Sequence, residues 1–375
     1  MIADLIKKMF KAIKALGTRR IVIEHDRIPY YFHNVPFKKI INLLVTESSA
    51  LARSTRPWGW PTSLILEPTN RCNLRCPLCP VTTGMHRPSG NMDFNLFKKV
   101  IDEVGEYLFL IFLYDWGEPF LNLQSYEMIA YAKQKGIKLV CSTNGHLFAQ
   151  AEHADRLVRS GLDGLIVALD GVSQETYERY RQRGEFAAVI QGIRTIVARK
   201  RALNSQTPLI NLRFIVMRHN EHEIAKLKNL ARSLGVNALT LKTLNLVAGP
   251  RDDYVPLDPR YRRFRCDNMG NRMRLPKNPC KTLWKESVIH WNGAVCSCTF
   301  DYDEENPLGS LRMDTFKNIW RGKPYRRLRR QFRGNWEKLR LCRECTYAYA
   351  GGDCSRENIA EAFFFPSQGN TLTGQ

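Results

Sequence analysis

The stretch SLILEPTNRCNLRCPLCP, residues 63–80, joins a short apolar run to three cysteines, Cys72, Cys76 and Cys79, spaced by four and three residues. A brief apolar run bounded by turn residues reads as a buried strand, so the cysteines fall on the loop that leaves it. A structural zinc site takes four closed ligands, usually as two short pairs. Here three thiols stand in a row with no fourth cysteine nearby. Soft thiolates favour zinc or an iron–sulfur cluster, and three of them on a [4Fe–4S] cube leave one iron open to a small molecule. A zinc site completed by His86, or three unliganded thiols, are the alternatives.

Working outward, residues 63–243 alternate short apolar runs with longer amphipathic ones. SLILEP, FLIFLYD, IKLVCST, GLIVALD, INLRFIVM and ALTLKTL are predicted strands, with helical segments such as DFNLFKKVIDEVG and HEIAKLKNLARSLG between them. Six strand–helix repeats predict a parallel sheet, closed or nearly closed as a barrel, with an open doubly wound sheet as the competitor. The polar signatures all fall at strand C-terminal ends: NRCNLRC after the first, WGEP after the second, STNG and DG closing the third and fourth. In parallel barrels that face builds the active site. Taken singly, Glu118 reads as a loop carboxylate, and Asn144 and Asp170 as turn formers before glycine.

The ordered set resembles the radical S-adenosylmethionine (SAM) superfamily: CNLRCPLC carries its C-x3-C-x2-C spacing, with GEP (117–119), STNG (142–145) and LDG (169–171) following in order. The resemblance implies a partial (β/α)6 TIM-like barrel over residues 63–243 and a SAM-binding [4Fe–4S] cluster on Cys72, Cys76 and Cys79. It further implies that backbone and carboxylate at Gly117 and Glu118 receive the methionine ammonium of SAM. Asn144 and Asp170 then lie near the ribose, and Arg183 near the SAM carboxylate. Leu78 stands where the family often has an aromatic residue, and Ala168 where it often has Ser.

Residues 280–357 carry six of the eleven cysteines in short elements, as expected of a small module held by metal. Cys280, Gly293, Cys298, and the C-x2-C of Cys342 and Cys345, with WNGAVCSC, LGSL and NIWRGKPYRRLR, resemble the SPASM and twitch modules of radical SAM enzymes. The resemblance implies one auxiliary [4Fe–4S] cluster on Cys280, Cys298, Cys342 and Cys345, spaced as in the aminocyclitol dehydrogenases of butirosin biosynthesis. A four-cysteine zinc site is the alternative. Cys296 and Cys354 are left without an assigned role.

Residues 1–62 read as an N-terminal α/β extension: an amphipathic helix over 1–16, a hairpin in RIVIEHDRIPYYF and a helix in PFKKIINLLVTESSALA. A Pro- and Gly-rich linker spans 244–279, and 358–375 read as a tail. Lys and Arg number 57 against 36 Asp and Glu, a surplus of 21 that favours an anionic partner or surface. The basic first helix could lie on anionic lipid or pack on protein. No apolar run is long enough to span a membrane, and lysines interrupt any signal-peptide core, so a cytoplasmic setting is expected.

The resemblance thus implies an enzyme that cleaves SAM to a 5′-deoxyadenosyl radical, abstracts hydrogen from a substrate C–H and uses the auxiliary cluster for electron transfer. The expected class is an oxidoreductase, dehydrogenase-like or epimerase-like, acting on a carbohydrate, cyclitol or lipid-linked substrate and drawing electrons from a flavodoxin or ferredoxin. A peptide-modifying maturase and a non-catalytic metal-binding docking protein are the other readings. No nucleic-acid-binding motif is present.

Overall fold

In a computed structural model, residues 13–246, 253–352 and 358–365 are described. Most of the amphipathic segment expected over 1–16 lies outside them, and residues 13–18 are helical.

Each predicted strand forms: β3 (Ser63–Leu66), β4 (Leu110–Phe112), β5 (Lys138–Thr143), β6 (Gly164–Ala168), β7 (Leu209–Val216) and β8 (Ala238–Thr243). They pair in parallel and in chain order. That order decides between the two predicted architectures, because a doubly wound sheet reverses its strand order at a switch point and this one does not. The result is the partial (β/α)6 barrel.

The helices between strands bury one stripe each. Phe94–Val104 begins on Asp93, whose side chain accepts from the Asn95 amide, and buries Phe97, Val100, Ile101 and Val104. Ile224–Leu234 buries Leu227, Ala231 and Leu234 and stops at Gly235, whose left-handed φ of 73° costs glycine little. These stripes meet alternate strand residues such as Leu64, Ile111, Leu139 and Leu165 in one core.

The opposite sheet face is filled from the N-terminal extension. The hairpin β1 (Ile21–His25) and β2 (Ile28–Phe32) packs Ile21, Ile28, Tyr30 and Phe32 against Ile65, Phe109, Phe112, Val140 and Ile166. Its turn residue Asp26 is buried against Arg213 and Asn211 of β7.

The sheet extends beyond six strands. At one edge β9 (Glu286–Ile289) runs parallel to β3, followed by the antiparallel β10 (Ala294–Cys296) and β11 (Gly309–Ser310). At the other edge β12 (Ile359–Phe364) pairs antiparallel with β8. Two expectations change accordingly. Residues 359–364, read as tail, form a strand. Part of the linker, too, is packed on the barrel: Tyr254 and Tyr261 are buried, and Arg263 donates to the Thr243 and Leu244 carbonyls. The causes differ: β12 covers the edge of β8, whose backbone groups would otherwise lack partners, whereas the linker buries its tyrosines and supplies donors to the carbonyls that end β8.

No helix among the described residues is long and apolar enough to cross a membrane.

Candidate functional site

The loops leaving β3, β4, β5 and β6 are tied into one polar ring around the three cysteines. After β4, Gly117 takes a φ of 96°, and a Cβ there would lie 2.5 Å from the Thr69 carbonyl oxygen, so the loop approaches the cysteine loop as only glycine allows. The next amide, Glu118 N, donates to Arg71 O at 2.7 Å.

The Glu118 side chain is 2% exposed. Its carboxylate accepts from the Thr143 hydroxyl and the Asn144 amide, each at 2.7 Å. Burial lifts its pKa from the ordinary 4.5 to about 7, a rise partly offset by those donors. The carboxylate thus fixes the STNG turn. Asn144 carries the ring onward, its Nδ2 donating to Asn73 Oδ1 at 2.7 Å, between Cys72 and Cys76. Asn144 Oδ1 in turn accepts from the His146 amide.

Asp170 is fully buried, and both its oxygens are engaged: Oδ2 accepts from Arg181 Nε at 2.6 Å and Oδ1 from the Ile215 amide at 2.6 Å. Arg181 continues to the thiols, with Nη1 3.8 Å from Cys76 Sγ. Gln182 O accepts from Arg75 N, which closes the ring. Arg183, singled out from the sequence, is instead exposed with a φ of 65°. The guanidinium brought to the cysteines is Arg181, two residues earlier. Asp followed by Arg eleven residues on was the available signal, but only the turn after helix Gln174–Tyr180 decides which arginine points inward.

Cys76 is buried, Cys72 and Cys79 partly so, and all three are free thiols. Burial pushes Cys72 up to about 11 and Cys79 up to about 12, each raised further by Cys76. Three adjacent thiols, one buried and two half-buried, are costly as bare thiolates, whereas cationic iron removes that cost. Arg181 and the Leu74 amide, 3.4 Å from Cys72 Sγ, suit an anionic cluster, so the donor set fits. The zinc alternative does not gain its fourth ligand: His86 Nδ1 lies 2.8 Å from Asp303 Oδ2, on a side chain 87% exposed.

The second cysteine set also converges. Cys298 is half-buried beside Cys345, Cys342 and Cys280, and desolvation first, then these thiols, raise its pKa well above the usual thiol range. All four line a cavity of about 1210 Å3 whose wall includes Arg326, Arg327, Arg330 and Arg340. Four thiols on one cavity fit a cube held at every iron. Cys296 is buried apart from them, its sulfur 3.9 Å from His290 Nδ1, and Cys354 lies outside the described residues.

Sequence reasoning also missed Glu67, Asp115 and His290, whose ligand atoms lie within 4.8 Å of one another. They come from three strand ends far apart in the chain, and no short motif marks them.

Two thiol clusters, one of three at the mouth of a parallel partial barrel and one of four in an appended module, define an iron–sulfur enzyme class. The model of the radical SAM superfamily matches residues 66–231, and that of the SPASM iron–sulfur cluster-binding domain matches 280–346. The chain belongs to the radical SAM superfamily and carries a SPASM domain; its cofactors are [4Fe–4S] clusters and SAM. It is 25% identical over 295 residues to the tungsten-containing aldehyde ferredoxin oxidoreductase cofactor-modifying protein of Pyrococcus furiosus, covering 70% of this chain and 81% of that one. It is 26% identical over 185 residues to the PqqA peptide cyclase of Gluconobacter oxydans, covering 48% and 49%, so it spans about half of that relative. The structure of Streptococcus suis SuiB bound to precursor peptide SuiA shares the fold, with TM-score 0.59 at 12% identity over 93% of this chain and 87% of that one.

Proposed function

We propose that this chain is a maturase-type radical SAM enzyme that modifies a peptide. Cys72, Cys76 and Cys79 hold the SAM-binding cluster. Cys280, Cys298, Cys342 and Cys345 hold an auxiliary one. When bound, the first cluster and SAM supply a 5′-deoxyadenosyl radical that takes hydrogen from a substrate C–H bond.

The chain's own residues bind and orient. Backbone at Gly117 and Glu118 receives the SAM ammonium, while the Glu118 carboxylate holds the Thr143–Asn144 turn in place. Asp170 aims Arg181 at the cluster sulfurs, where its charge offsets cluster charge in a water-poor site. The observation that carries the radical SAM part of the reading is the run of hydrogen bonds from Arg71 to Glu118, Asn144 and Asn73, which ties the turn after β5 to the cysteine loop on both sides of Cys72. The choice of a peptide over the cyclitol or carbohydrate expected from the sequence rests on the PqqA cyclase relative. The arginines beside the auxiliary thiols favour an acidic electron carrier such as a flavodoxin or ferredoxin.

The test is anaerobic incubation of the reconstituted protein with SAM and dithionite, following 5′-deoxyadenosine. We expect its release to rise with a library of acidic peptides. A rise with cyclitols or sugars, and none with peptides, returns the dehydrogenase or epimerase reading.

A further inference from the structure

Where β3, β4 and β9 end side by side, a buried group stands outside both thiol clusters. Glu67 and His290 are fully buried, and the Asp115 side chain is 2% exposed. Each is fixed on one side. Glu67 is gripped by both terminal nitrogens of Arg87 and accepts from the Trp291 amide. Asp115 Oδ1 accepts from the Thr299 hydroxyl. His290 Nδ1 lies 3.0 Å from Glu304 Oε1, and Glu304 is itself held by Asn292.

The other side of each group is what requires an explanation. A carboxylate accepts and does not donate, so His290 Nδ1 carries the hydrogen toward Glu304. His290 Nε2 then faces Asp115 Oδ2 at 3.7 Å, too far for a hydrogen bond, and both atoms are buried without a hydrogen-bond partner. With His290 neutral, a lone pair faces a carboxylate in a dry site, a repulsion that a cation between the two atoms, a proton or a metal ion, removes, and an unpaired buried polar atom is costly. Three carboxylates, Glu67, Asp115 and Glu304, share only the Arg87 cation among these groups, which leaves two negative charges uncompensated when His290 is neutral.

We propose that Glu67, Asp115 and His290 bind one divalent first-row transition-metal ion. An ion between Nε2 and Oδ2, with bonds of about 2.0–2.2 Å, accounts for their spacing, and the 4.8 Å span of the three ligand atoms contracts slightly around it. Its two charges balance the site. The outer contacts follow the pattern of metal-ligating histidines, whose second ring nitrogen donates to a carboxylate. One imidazole and two carboxylates suit Mn2+, Fe2+ or Zn2+ over Ca2+, which takes six or more oxygens. The ion joins β9 of the SPASM region to two barrel strands, independently of the radical chemistry.

The test uses iron–sulfur-reconstituted protein titrated with Mn2+, a hard ion with little affinity for thiolates, desalted and read by electron paramagnetic resonance. We expect about one Mn2+ retained per chain, and retention at least about tenfold weaker in His290→Gln and Asp115→Asn at unchanged iron-to-sulfide ratio. Wild-type protein that retains no Mn2+, or variants that retain it equally, overturns the proposal. Should a variant fail to fold, nitrogen hyperfine coupling on the wild-type Mn2+ signal decides: coupling to one imidazole supports the site, and none overturns it.

Discussion

Arg181 and Asp170 form a buried ion pair, Nε to Oδ2 2.6 Å, on side chains 15% and 0% exposed. The same guanidinium reaches Cys76, so one contact joins the end of β6 to the cysteine loop. Removing one partner of a buried pair leaves an uncompensated charge, at a cost of about 3–5 kcal/mol. Arg181→Met should therefore lower the thermal midpoint by several degrees and reduce iron retention. Arg183→Met should do neither, and thermal melts with iron analysis of both variants check this.

Glu118 makes stability fall with rising pH. Its folded pKa, about 7, lies above the ordinary 4.5, so the folded state holds the proton more tightly. That contribution is fully present below about pH 4.5 and is lost as pH rises through about 7, on the order of 3 kcal/mol at about 1.4 kcal/mol per unit. Glu118→Gln removes this dependence. The difference in melting midpoint between variant and wild type should shift in favour of the variant from pH 5 to pH 8, and a constant difference would contradict the assignment.

His86 is predicted to be dispensable to the cluster. Its pair with Asp303 is exposed on the histidine side, and such pairs contribute about 0–1 kcal/mol. His86→Ala should leave iron and sulfide unchanged, as measured after anaerobic reconstitution.

Cys298→Ala should halve the iron, from about eight to about four per chain, and spare SAM binding. Cys296→Ala, whose sulfur is buried beside His290, should keep the full complement. Iron and sulfide assays separate the two.

How much of this was legible in the sequence follows from distance along the chain. β3 to β8 and their helices were readable because burial repeats within each element: Leu64 and Leu66 face one core and Ile65 the other. The cysteine loop was readable because its ligands lie within eight residues. The pairing of Ser63 with Glu286, the β12 strand on β8 and the hairpin packed against the sheet were not, because each is a contact between segments with no shared period. Arg181 was missed for a local reason: a left-handed φ at Arg183 turns the chain, so spacing alone could not pick the inward side chain. Glu67, Asp115 and His290 are each ordinary in sequence, and only the parallel alignment of β3, β4 and β9 brings them together.

The central claim is that the cluster on Cys72, Cys76 and Cys79 keeps an iron open for SAM. It is tested most directly in a Cys342→Ala, Cys345→Ala variant, which isolates that cluster, by paramagnetic resonance of the dithionite-reduced protein with and without SAM. A spectrum that changes on adding SAM, and no longer does so once Cys76 is replaced by Ala, is the predicted result. An unchanged spectrum at saturating SAM would mean that every iron is already capped, and would contradict the account.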